Sequence, residues 1–191
     1  MAIMNPLLYK YISTTSSSLA SLPLDILQTR IVTNNQIIFN WNEFKWVLIF
    51  PIVLTSQNII YNRLYFIKNI FIRGATSGIL ITPLYSYLEI YKIYDRIKAL
   101  PNLNIFLKIT ILRQAIFFGI LYKINFSNIL YSDLISAFVA NMIGFPLKLY
   151  ALNSSYSIFK INKKTIKIMT ILELMKTSIS DGLGLFLMNK Y

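Results

Sequence analysis

The sequence has no cysteine and no histidine, and only 7 of its 191 residues are acidic. Without cysteine there is no disulfide framework and no thiolate, and without histidine no imidazole to bind a metal or serve as a catalytic base. The carboxylates are scattered at Asp25, Glu43, Glu89, Asp95, Asp133, Glu173 and Asp181, with no spacing that suggests a catalytic cluster. The chain is therefore expected not to be an enzyme and to need neither cofactor nor metal.

What the sequence does contain is apolar. Hydrophobic residues make up 55% and aromatics 15%, against 14% charged. With a mean hydropathy of +0.56, this is the composition of a membrane protein. Yet 19 Lys and Arg give a formal charge of +12. In so apolar a chain, that excess points to an anionic small-molecule solute or an anionic membrane lipid such as cardiolipin, and away from nucleic acid. The first ten residues resemble neither a secretory leader nor an Arg-rich transit peptide, so targeting information is expected to be internal.

Six stretches are long and apolar enough to cross a bilayer as helices, which takes about 20 residues. They lie near 7–33, 46–66, 70–93, 103–124, 127–153 and 165–188. Residues 46–62 carry no charge and are expected to be the one stretch that meets a strict hydropathy test. Basic residues gather after the odd-numbered stretches (Lys92, Arg96 and Lys98; Lys160, Lys163, Lys164 and Lys167), which puts those loops on the side favoured by the positive-inside rule.

The chain also repeats. Pro23, Pro83 and Pro146 are 60 and 63 residues apart, each near the end of an odd-numbered stretch. This divides a single membrane domain, 1–191, into units at about 7–66, 70–124 and 127–188. Nine and five residues before each proline stand Thr14 and Ser18, Gly74 and Gly78, and Ala137 and Asn141, compact side chains suited to close helix packing. A proline inside a helix removes a hydrogen bond and kinks the axis, which membranes tolerate. Three such kinks at one depth would draw three helices together at one end. Aligned on Gln57 and Gln114, the even-numbered stretches share aromatics, Tyr61 with Phe118 and Tyr65 with Tyr122. The last two of these tyrosines read as interfacial anchors.

The stretch from Pro23 through Asp25 and Gln28 to Arg30 resembles the signature of the mitochondrial carrier family, proline followed by an acidic and then two basic places. The run from Gly74 to Leu84 and the aromatic pattern after Gln114 are similar to the same family. The resemblance implies an all-α fold of six transmembrane helices, three tandem two-helix repeats around a central cavity. It implies antiport of an anionic metabolite across the mitochondrial inner membrane by alternating access, with nucleotides such as ADP and ATP the leading expectation. The family's matrix surface helices are expected to be short or absent here. The resemblance further implies a matrix gate of ion pairs, for which this chain offers Asp25, Gln28, Arg30 and Lys148. The second and third units depart from the pattern: two places after the proline stand Tyr85 and Lys148, where the family has an acid. A pairing of Asp25 with Lys148 is the expected substitute.

In a carrier the solute site lies near the midplane. The ionisable residues at that depth are Arg113, Lys176 and Asp181, with Gln57 on the second helix, and they are the expected substrate-binding set. The planar fork of Arg113 suits a phosphate or carboxylate; a structural pairing with Asp181, or snorkelling to the surface, is the competing reading. A second reading of the whole chain is a structural subunit of an inner-membrane complex that has lost transport. Outside such a complex the protein is expected to be a monomer.

Overall fold

The computed structural model describes residues 6–33, 44–97, 100–124, 130–155, 163–177, 179–180 and 183. Six helices make up nearly all of them: α1 (Pro6–Thr33), α2 (Phe44–Arg63), α3 (Ile70–Ile97), α4 (Leu103–Ile124), α5 (Leu130–Ser155) and α6 (Lys163–Thr177). Residues 34–43, 98–99 and 156–162, where short or missing surface helices were expected, lie outside the described residues, as do Asp181 and most of the last expected stretch beyond Thr177.

Helix starts are fixed locally. The side-chain carbonyl of Asn69 accepts the backbone N–H of Ile72 at 3.2 Å, capping α3, and Asn102 accepts from Ile105 at 3.4 Å at the start of α4. The backbone N–H of Asn102 also donates to the carbonyl of Ser155 at 2.8 Å, tying the start of α4 to the end of α5. Pro23, Pro83 and Pro146 all lie inside continuous helices, and so does a fourth proline, the buried Pro51 in α2.

Each helix packs on the next, from α1 to α6, and α6 returns to α1, so the six close into a ring. Its outer face is apolar, and its interior mixes apolar clusters with polar side chains. Leu19, Ile52, Leu80, Leu112, Ile143 and Ile171, one from each helix, are about half exposed, whereas Thr14, Gln57, Ser77, Gln114, Asn141 and Glu173 are buried. The small hydroxyls inside satisfy themselves along their own helices: Thr14 donates to Lys10 O, Ser77 to Gly74 O, Thr82 to Gly78 O and Thr110 to Phe106 O.

Two helices are long and apolar enough to cross a membrane, α4 and residues Asp133–Ser155 of α5. The uncharged stretch expected to be the most apolar, 46–62, is not one of them. Its second half carries Gln57, Asn58 and Asn62, whose uncharged amides lower hydropathy strongly, with a smaller cost from the hydroxyls of Thr55 and Ser56.

The closest helix contact is between α3 and α4. A Cβ on Gly74 would stand 2.5 Å from the carbonyl oxygen of Phe118, and one on Gly78 would collide with that of Gln114. Backbone lies on backbone here, which only glycine permits. The matching positions in α5, Ala137 and Asn141, are likewise buried.

Candidate functional site

A cavity of about 130 Å³ lies inside the ring, lined by residues of all six helices. The three places two residues beyond the repeat prolines all reach it: Asp25 from α1, Tyr85 from α3 and Lys148 from α5. Equal offsets from the three prolines thus bring an acid, a phenol and an amine to one space.

Part of the cavity wall is a chain of ion pairs. Lys92 contacts one oxygen of Asp25 at 2.6 Å, and Lys176 contacts the other at 3.2 Å. Lys176 also meets Glu173 at 2.8 Å, and Glu173 holds Lys148 at 2.5 Å through its other oxygen. Gln28, buried one turn along α1 from Asp25, accepts a further hydrogen bond from Lys176 at 3.2 Å. The ammonium of Lys92 lies 4.8 Å from the centre of the Phe50 ring on α2. Five helices are thereby linked, α3 to α1, α1 to α6, α6 to α5, and α3 to α2. Buried charges are tolerated when paired in this way, whereas isolated ones are costly.

The expected pairing of Asp25 with Lys148 is not made. Lys148 bonds Glu173, and Asp25 is held by Lys92 and Lys176. Equal offsets from the prolines put Asp25 and Lys148 at one level, but α6 supplies nearer partners for both. Lys176 is consequently part of the ion-pair wall, not a cation left open to a solute. The side chain of Arg30 lies outside the described residues, as does Asp181, so the structure brings together Asp25, Gln28 and Lys148 of the expected gate and adds Lys92, Glu173 and Lys176 to it.

The remaining helix, α4, contributes Arg113. Its side chain turns inward, 7% exposed, which sets aside snorkelling. One guanidinium nitrogen donates to the Tyr85 hydroxyl at 3.0 Å, Nε has no partner, and no carboxylate lies within ion-pair distance among the described residues. A buried guanidinium with a phenol as its one hydrogen-bond partner retains most of its donors.

At the other end of the helices a second cluster joins α1 to α4. Tyr61 and Tyr122 stack with ring centres 3.7 Å apart, and Arg73 donates to the Tyr61 hydroxyl at 2.6 Å. Tyr122 donates to Gln57 at 2.8 Å, Gln57 donates to Ser77 at 3.0 Å, and Lys10 donates to Asn58 at 2.7 Å. Gln57 thus ties helices together and does not line the cavity. Tyr65 is exposed, as an anchor would be, whereas Tyr122 is turned into this cluster.

The sequence reading overlooked Glu173, Lys92 and Glu89 as cavity residues. The usable signal was their spacing: Glu89 with Lys92 and Glu173 with Lys176 are opposite charges three apart on helices, hence on one face. Among the described residues, the charged ones lining the cavity are Lys92, Arg113, Lys148 and Lys176 against Asp25, Glu89 and Glu173, one positive charge in excess. Compared with known proteins, the chain matches no family model, no curated protein and no solved structure.

Proposed function

We propose that this chain is a reduced carrier of the mitochondrial carrier type, its six helices spanning the membrane and moving an anionic solute by alternating access. The observation that carries the reading is Arg113, a buried cation with no counter-ion among the described residues, facing a cavity that all six helices line. An arginine kept at such depth is costly unless an anion visits it. The apolar outer face present on every helix supports six spans, because a patch that wide does not face water in a monomer. Ion pairs at one end and the tyrosine cluster at the other are suited to serve as two gates. The repeat prolines and the mitochondrial resemblance favour the inner membrane as the site of exchange. A chamber of about 130 Å³ is below the ~300–1,000 Å³ usual for drug-sized ligands, so it suits a small acid better than a nucleotide.

The test is exchange in liposomes. Vesicles holding the purified protein and preloaded with unlabelled solute are expected to take up labelled small acids saturably, and Arg113→Gln to abolish that uptake. Vesicles inert to phosphate, dicarboxylates, amino acids and ATP, with the protein still unfolding cooperatively on heating, would refute transport and favour a structural subunit with both ends permanently latched.

A further inference from the structure

Resting on the carrier reading, a second cavity residue amends the solute from a plain anion to one that also carries a positive charge. Glu89 stands on α3 one turn beyond Tyr85 and lines the same chamber as Arg113, together with a small side pocket that both share with Thr110 and Lys148. Of the chamber's carboxylates, Asp25 and Glu173 each hold two lysines. Glu89 makes no ion pair or side-chain hydrogen bond among the described residues, and it is not within ion-pair distance of Arg113.

Two opposite charges, neither neutralised, therefore face one space without meeting. A dianion would satisfy Arg113 and be repelled by Glu89; a plain cation would suffer the reverse. A molecule with a carboxylate at one end and an ammonium at the other satisfies both. The guanidinium fork can grip a carboxylate through two parallel N–H···O bonds, and the ammonium can donate to Glu89. A chamber of about 130 Å³ favours a solute with a short side chain. Phe117, Phe118 and Trp46 on its wall offer that side chain an apolar surface. We propose that the chamber binds a small zwitterionic amino acid with an uncharged side chain, its carboxylate on Arg113 and its ammonium on Glu89.

Alanine and lactate differ only in the ammonium, which lactate replaces with a hydroxyl, so their uptake ratio reads Glu89. Liposomes of phosphatidylcholine and cardiolipin carrying the protein are offered labelled alanine, lactate, phosphate and malate. Alanine is expected to enter, and Glu89→Gln to lower the alanine-to-lactate ratio about tenfold or more, the worth of one charged hydrogen bond. Glu89→Asp keeps the charge and is expected to retain the preference for alanine, which serves should Glu89→Gln not fold. Thermal unfolding in detergent gives an independent readout: alanine should raise the midpoint of the wild type and not that of Glu89→Gln. An unchanged ratio in a folded Glu89→Gln overturns the proposal. Exclusion of alanine while phosphate or malate enters also overturns it but leaves the carrier reading standing. If none of the four enters and alanine gives no thermal shift, the proposal falls, and the carrier reading falls with it if ATP is excluded as well.

Discussion

Glu173 is the residue on which the ion-pair chain turns, 1% exposed and shared by Lys148 and Lys176. Truncating it leaves Lys148 buried with no partner, while Lys176 keeps Asp25. Glu173→Ala is expected to cost about 3–5 kcal/mol of stability, read as a lowered unfolding midpoint in detergent. Because Lys148→Ala removes the charge that would be stranded, the double variant should lose less than the two single losses added together. Individual residues were also where the sequence was hardest to read. Lys148 and Asp25 share an offset from their prolines, and that offset gives depth along the helix. It does not give the neighbour each side chain finds, which depends on how α6 is rotated. Gln57 is the same case: its depth suggested the cavity, but a helix turns about 100° per residue, and Gln57 faces Ser77 and Tyr122 instead.

The elements themselves were largely legible. Apolar length located all six helices, and Gly74 and Gly78 before Pro83 marked a packing face, because close approach of two helices leaves no room for a larger side chain. Gly78→Ala puts a methyl against the Gln114 carbonyl, a backbone atom that cannot swing aside, and should destabilise by about 1–3 kcal/mol. Gly144→Ala is the matched control. A Cβ there would stand 3.7 Å from the Phe117 side chain, an ordinary contact, so its unfolding midpoint should stay close to the wild type. Less legible was Pro51. Its place between apolar neighbours gave no sign that α2, too, carries a proline within the helix, and this one buried, because it falls outside the spacing that singled out the other three.

For the molecule as a whole, the closure of α6 onto α1 is the arrangement from which the rest follows. The chain has no cysteine of its own, so a pair introduced at Gln28→Cys and Lys176→Cys reports on that seam without a background. The native side chains touch at 3.2 Å, and a thiol-specific cross-linker is expected to join the pair readily. A control pair on non-adjacent helices, Leu19→Cys with Leu112→Cys, should not join. The spacing of the three prolines was readable in the sequence, whereas the partners of Asp25 and Lys148 were not, because they come from α3 and α6.

The seams of the ring are unequal. Among the described residues α3 on α4 and α4 on α5 share by far the broadest contacts, and α5 on α6 the narrowest. The middle three helices thus form a stiff slab, and moving α4 would mean peeling main chain from main chain at Gly74 and Gly78. Any rearrangement of the ring is therefore expected to carry α3, α4 and α5 together as one body.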